Sequence, residues 1–264
     1  MEVITLDEIF RQAQESTIIM NAHKILNGEY PDIYQKNSDF FFLQRLNYLQ
    51  AQETIIQLWK DRLPKAYGYD PIEDIQILCP SKKSTLGVIT LNKLMQEAIN
   101  PKSKGSKELK NANYTFRIGD KVMQIKNNYD VLWEKNGSKG TGIYNGDIGI
   151  IKDIYGDCLE IDFDGRTVIY ESELVDQLEL AYAVTIHKSQ GSDFDVVIMP
   201  MLNNFKMLSY RNLLYTGITR AKKLLIVVGS TRELFRMVDN DRQLLRYTCL
   251  KDMISYEFEN KIDE

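Results

Sequence analysis

The chain has 264 residues, of which 44% are hydrophobic and 27% charged, with a formal net charge of −4 and a sequence pI near 5.4. These values exclude a disordered chain, and no apolar run approaches the roughly 18–20 residues that a membrane-spanning helix needs. The acidic balance argues mildly against a nucleic-acid ligand, yet between Ser81 and Lys126 ten basic residues stand against three acidic ones, which suits either a solvated lysine-rich loop or a phosphate backbone.

Residues 6–27 read as a helix with Ile9, Phe10, Ala13, Ile18, Ala22 and Ile25 on one side, closed by Asn27-Gly28. Asp39 is placed to cap a long second helix through Phe41, Leu43, Leu46, Leu49, Ile55, Ile56, Leu58 and Trp59, ended by Pro64 and Gly68. Residues 74–80 form a short buried strand and residues 86–99 the next helix, a succession typical of an α/β layer. From Tyr114 to Leu178 the texture changes to short strand-like runs, including 148–151, 158–163 and 167–170, broken by the hairpin signals Asn136-Gly137, Asn145-Gly146 and Asp164-Gly165. Such spacing predicts a small β-barrel. The α/β pattern resumes with strands near 182–186, 196–199 and 224–228, a helix around 209–221 and a C-terminal helical stretch. The predicted fold is therefore α/β with a parallel sheet, divided as 1–110, an inserted barrel at 111–178, and 179–264. Cys79, Cys158 and Cys249 lack the paired spacing of a zinc site and read as reduced thiols of a cytoplasmic protein. Glu2, Asp7 and Glu8 rule out a signal-peptide pattern at the start.

Two segments carry the densest chemistry. One is Thr185-Ile186-His187-Lys188-Ser189-Gln190-Gly191-Ser192-Asp193-Phe194-Asp195; the other is Leu214-Tyr215-Thr216-Gly217-Ile218-Thr219-Arg220-Ala221-Lys222. Each sets a polar cluster beside a strand-like apolar run, the place where α/β proteins usually bind ligands. Pro80-Ser81-Lys82-Lys83-Ser84-Thr85 ends a strand and opens a helix, which suits a phosphate or plain capping by Ser84 or Thr85. Asn127 and Asn128 suit contacts to bases and sugars, or a turn; Asn92 and Gln96, one helical turn apart, equally suit the surface. The sequence holds no G-x-x-x-x-G-K-[ST] phosphate loop and no Asp-Glu magnesium pair after a strand.

The two segments resemble the last two signature motifs of superfamily 1 helicases, in the form used by RecD-like DNA helicases. The resemblance extends over nearly the whole chain. It takes in Leu6-Asp7-Glu8-Ile9-Phe10-Arg11-Gln12, the stretch from Phe116 to Gln124, Asn127-Asn128-Tyr129-Asp130, and Tyr144-Asn145-Gly146-Asp147-Ile148-Gly149. It implies a RecA-like second motor domain with an inserted SH3-like barrel, beginning just after a first motor domain that would precede Met1. It implies that Arg220 and Arg11 reach the γ-phosphate of ATP, and that Gln190, Gly191 and Asp193 face the nucleotide. Asp193 stands where many relatives have glutamate for the ribose, and its shorter side chain puts that contact in question.

By the same resemblance, Thr185, His187, Lys188, Ser81, Lys82, Lys83 and Asn127 face single-stranded DNA. The implied cofactors are ATP and Mg2+, with the magnesium ligands outside this chain. The implied partners are single-stranded DNA, the first motor domain, and other recombination or repair proteins, with no membrane. The expected activity is ATP-dependent 5′ to 3′ DNA unwinding by the longer protein, the chain alone being inactive. Three alternatives stay open: a nucleic-acid-binding module without motor activity, the motor half of a conjugative relaxase-type helicase, and a Pif1-like helicase, whose last motif usually differs from Tyr-Thr-Gly-Ile-Thr-Arg.

Overall fold

The structure, a computed structural model, describes residues 16–35, 38–202, 206–241, 249 and 253–255. The helix α1 (Thr17–Leu26) occupies the described part of the first predicted helix. It ends at Gly28, whose φ of 81° only glycine adopts without strain.

The long second helix is corrected. Phe40–Gln44 is a strand, β1, and the helix α2 begins only at Tyr48 (Tyr48–Gln57), capped by the Asn47 side chain. The run Phe40-Phe41-Phe42-Leu43 is aromatic and continuously apolar, which fits a strand beside a buried sheet better than a helix face. Asp39 does cap a helix, but it is α1: its carboxylate accepts the Ile18 N–H at 3.0 Å and the Ser16 hydroxyl at 2.5 Å. Nor does Pro64 end the helical run. A π turn over Leu58–Arg62 leads without a break into α3 (Leu63–Tyr67), with Pro64 just past the junction; Gly68 closes α3 at φ 75°.

β2 (Ile75–Cys79) and α4 (Val88–Ile99) follow as predicted. Then come a small hairpin, β3 (Glu108–Lys110) with β4 (Thr115–Arg117), and seven further strands: β5 (Lys121–Gln124), β6 (Asn128–Lys135), β7 (Ser138–Ile143), β8 (Ile148–Tyr155), β9 (Cys158–Phe163), β10 (Arg166–Tyr170) and β11 (Leu178–Leu180). These seven make one antiparallel sheet in the order β11-β5-β8-β9-β10-β6-β7. Asn136-Gly137 and Asp164-Gly165 are two-residue hairpin turns with φ positive at both positions. Asn145-Gly146 is not a hairpin, because it joins β7 to β8, which do not pair; its Gly146 N–H instead reaches Gln124 O at 2.9 Å. The ten-to-three basic stretch is not a free patch either. Lys102, Lys107 and Arg117 pair with Glu108, Asp153 and both Glu97 and Glu108, and Lys121 is buried.

The chain then returns through β12 (Ala183–Thr185), β13 (Phe194–Met201), α5 (Arg211–Ile218), β14 (Ala221–Gly229) and α6 (Thr231–Asp239). The five-stranded sheet has the order β1-β14-β13-β2-β12, and every pairing in it is parallel. Alternate residues of β13 and β14 serve two cores. Val197, Met199, Leu225 and Val227 join α1, α5 and α6, while Val196, Ile198, Leu224 and Ile226 join α2 and α4. The second core runs without a break into the seven-stranded sheet through Val122, Ile151, Ile161 and Phe163.

Asn92 and Gln96 are not surface residues; they are buried at 0% and 4% exposure and bind the two sheets together. Asn92 donates to Leu180 O and Ala183 O and accepts the Ala183 N–H, all within 2.9 Å. Gln96 donates to Thr115 O and to the Asp120 carboxylate. Asp120 is fully buried and also accepts from Asn100, from the Arg117 N–H and from the Tyr182 hydroxyl. All four of its partners are donors. Asp120→Asn would turn an amide N–H toward two of them, so we expect it to lower unfolding free energy by about 2–4 kcal/mol, read by urea denaturation. A change under about 0.5 kcal/mol would remove Asp120 from this role.

Next to it, burial pushes the Lys121 ammonium down to about 8, against its usual 10.5, while Asp70, Glu73 and Asp74 oppose the shift. Between those values the unfolded chain binds more protons than the folded one, so stability rises with pH. The stability of wild type relative to Lys121→Met should therefore climb by about 2 kcal/mol from pH 8 to pH 10 in paired denaturation curves. A flat difference would show that Lys121 is not desolvated.

Candidate functional site

Because the strands of the five-stranded sheet are all parallel, the loops after β2 and β12 emerge at one edge of the sheet, while the approaches to β13 and β14 lie at the opposite edge. The sequence-predicted residues divide between these two edges.

At the first edge, residues 80–87 turn from β2 into α4. The helix is not capped by Ser84 or Thr85: its N-cap is Gly87, and the first free N–H groups, of Val88 and Ile89, go to Ser81 O and Lys82 O. A Cβ at Gly87 would come within 2.6 Å of Ser84 N, so the tight turn requires glycine. Ser81 is buried and shares its hydroxyl with Ser84 at 2.9 Å. Lys82 and Lys83 are exposed. Beside this turn, β12 ends at Thr185, whose hydroxyl accepts the Lys188 N–H as a 3-10 turn over Ile186–Ser189 begins. The imidazole of His187 is exposed and lies 3.1 Å from the Tyr210 hydroxyl at the start of α5.

Lys82 and Lys188 meet at one carboxylate. Glu179 of β11, only 10% exposed along its side chain, accepts from Lys82 Nζ at 2.5 Å and Lys188 Nζ at 3.3 Å. Sequence reasoning missed Glu179, because nothing in its local pattern shows that it faces two lysines 97 and 9 residues away. Lys82, Thr185, Lys188 and Glu179 line one small depression with Val88 and Met123. Asn127 lies farther along, past the end of β5. Its side chain accepts the Asn145 N–H, and Asn128 bonds to Gln177, so both amides hold turns. Exposed Tyr129 and Tyr144 stand beside them, edge to face with ring centroids 5.7 Å apart, a second feature not read from the sequence.

At the opposite edge, Arg220 follows the C-cap of α5. Its guanidinium donates to Thr216 O, Ser192 O, the Thr219 hydroxyl and the Asp193 carboxylate, the last at 3.2 Å, while its own carbonyl accepts the Phe194 N–H. Gln190 and Gly191 are exposed in the loop leading here, and Gly191 takes φ 87°, the freedom expected of it. The structure thus unites Arg220 with Asp193 and sets them apart from Thr185, His187, Lys188 and Lys82. Arg11 lies outside the described residues. Among the described residues no three His, Cys, Asp or Glu side chains are grouped to hold a metal ion, and no helix is long and apolar enough to cross a membrane.

Comparison with known proteins bears on this arrangement. Residues 91–164 match the family described as the ATP-dependent RecD-like DNA helicase SH3 domain, and residues 180–228 match the UvrD-like helicase C-terminal domain. The chain is 32% identical over 240 residues to the ATP-dependent RecD2 DNA helicase of Deinococcus radiodurans, covering 86% of this chain and 28% of that protein. It is 29% identical to the RecBCD enzyme subunit RecD of Buchnera aphidicola subsp. Schizaphis graminum, covering 89% of this chain and 40% of the subunit. The chain therefore spans well under half the length of these relatives. In fold it is similar to a Pif1 helicase from Bacteroides solved with ADP-AlF3 and single-stranded DNA, with a TM-score of 0.51, 20% identity, and coverage of 96% of this chain and 56% of that one. With both domain families in order and RecD relatives aligned along most of its length, the chain belongs to the RecD-like superfamily 1 helicases and carries their second motor domain with its SH3-like insert.

Proposed function

We propose that this chain works as the second half of an ATP-dependent DNA helicase that moves 5′ to 3′ on single-stranded DNA, with ATP held between it and a first motor domain. The observation that carries the reading is Arg220, a partly exposed guanidinium poised at the sheet edge on backbone carbonyls and one acidic partner. A forked cation so placed can exchange Ser192 O and Asp193 for the γ-phosphate and stabilise the charge that develops on it. Arg11 supplies a second guanidinium, and Gln190, Gly191 and Asp193 border the nucleotide. Asp193 has a second use as the resting partner of Arg220, which accounts for an acidic residue at this position without a ribose contact. Mg2+ is held by ligands on the first motor domain in this reading, and the chain by itself is expected not to hydrolyse ATP.

Single-stranded DNA lies along the opposite edge, over Lys82, Lys83, Thr185, His187 and Lys188. It continues toward Asn127, where exposed Tyr129 and Tyr144 offer faces for stacking bases. Ser81 contributes through its carbonyl and the turn it anchors, since its hydroxyl is buried. The division 1–110, 111–178 and 179–264 describes the motor domain, its insert and the motor domain's return. Other recombination or repair proteins are natural partners for such a motor.

Two measurements test this reading. In the full-length protein, Arg220→Ala should lower kcat for ATP by about 10³-fold, the lower end of what arginine fingers contribute, and leave DNA affinity within about twofold. A variant keeping more than about a third of wild-type turnover would take Arg220 out of the role and favour a nucleic-acid-binding module without motor activity. Binding of an oligothymidylate to the chain should weaken with salt at about 0.7 log units of affinity per log unit of salt for each phosphate contacted. His187→Ala and Lys83→Ala should each lower affinity equally across sequences. A strong sequence preference, or no salt dependence, would point instead to a base-reading module.

A further inference from the structure

Glu179 sits where the seven-stranded sheet hands the chain back to the motor sheet, flanked in β11 by buried Leu178 and Leu180. That burial prevents its carboxylate from swinging into solvent. The two lysines it holds come from different loops, after β2 and within the turn after β12, and their side chains remain 44% and 31% exposed. An ammonium has three donors, and each spends one on Glu179, so both keep donors facing outward.

We propose that Glu179 is a positioning residue for single-stranded DNA: it fixes Lys82 and Lys188 as a pair whose outer donors grip a single phosphate. The proposal rests on reading this edge as the DNA track. Two free lysines this close would repel each other and sample many rotamers, and ordering them on binding would subtract from affinity. Glu179 removes both costs in advance. It also ties the grip to β11, so that the insert and the DNA loops move as one.

The inference predicts a sign opposite to simple charge repulsion. A carboxylate near a phosphate backbone should weaken binding, and neutralising it should tighten binding. If Glu179 positions the lysines, neutralising it loosens binding instead. The experiment measures anisotropy of a fluorescein-labelled oligothymidylate titrated with the 264-residue chain over a range of salt.

Glu179→Gln is expected to weaken affinity about five- to tenfold and to flatten the log-salt slope by about 0.7, one phosphate's share. Glu179→Asp keeps the charge but cannot span both lysines, so it too should weaken binding; repulsion alone would leave it unchanged. Lys82→Ala and Lys188→Ala should each weaken binding, less than additively in wild type and additively in the Glu179→Gln background. Tighter binding by Glu179→Gln, or unchanged binding by Glu179→Asp, overturns the positioning role and leaves the DNA edge standing. Unchanged affinity in both Lys82→Ala and Lys188→Ala overturns the DNA edge, and the proposal with it.

Discussion

The structure depends on a few buried amides, Asn92 and Gln96 on α4 and Gln76 on β2. The backbone between β11 and β12 leaves one sheet and enters another; Ala181 N–H reaches Lys121 O and Tyr182 O accepts the Ile77 N–H, and side-chain amides add to these bonds. Asn92 takes up Leu180 O, Ala183 O and the Ala183 N–H, and the Gln76 side chain donates to Ala181 O and Tyr182 O. Each of these backbone groups, left buried and unpaired, would cost on the order of 1–3 kcal/mol. Gln96 does the same for Thr115 and anchors Asp120, whose carboxyl is raised by its burial although four donors oppose the shift. Hydrophobic burial draws the two sheets into one core; the amides decide the relative placement of the strands. Everything on the proposed DNA edge inherits that placement, since the 80–87 turn opens α4 and Glu179 lies just before the seam.

The all-parallel motor sheet imposes the second constraint. Thr185 pairs with Cys79, at the end of β2, whereas Val196 pairs with Ile75, at its start. At about 3.3 Å per residue, residues 185 and 193 lie roughly 20 Å apart along the strands. The proposed nucleotide position at Arg220 and the proposed DNA position at Lys188 therefore lie at opposite ends of the strands. Any influence between them passes through the protein, by a physical element with two arrangements.

Much of this was legible in the sequence. Four of the five parallel strands were readable because each is a short, apolar run between turn residues, and two hairpins because Asn-Gly and Asp-Gly dictate their own backbone. What failed did so for physical reasons. Phe40-Phe41-Phe42-Leu43 carries enough apolar residues to satisfy a helical stripe, and only its pairing with β14 makes it a strand. Asp39 has the chemistry of a cap, but its helix lies 21 residues upstream. Asn92 and Gln96 look like solvent-facing amides until the seam they serve is in place. On the candidate site, the described motif residues lie in or beside the turns after β2 and β12 and before β14, and Arg11 lies outside the described residues. Glu179, Tyr129 and Tyr144 escaped notice because long-range folding alone gives them partners and exposure.

The segment from Thr185 to Phe194 is the most direct of the possible couplings. It carries Thr185, His187 and Lys188 at one end and Gln190, Gly191 and Asp193 at the other, and crosses the sheet in nine steps. Its middle is rigid: Ile186 is buried, Ser189 closes the turn by donating to Ile186 O, and a Cβ at Gly217 of α5 would meet Met199 within 2.6 Å and Ile186 within 3.1 Å. Its far end is soft, with Gly191 exposed and Asp193 held by Arg220. In its proposed role Arg220 would give up Ser192 O and Asp193 for a phosphate, which would release that end of the segment. The opposite terminus of α5 holds the Tyr210 hydroxyl against His187. A shift of α5 along its own axis would therefore reach both edges together, through Arg220 at its C-terminus and Tyr210 at its N-terminus. α5 and the 185–194 segment beneath it thus span the distance between the two proposed sites.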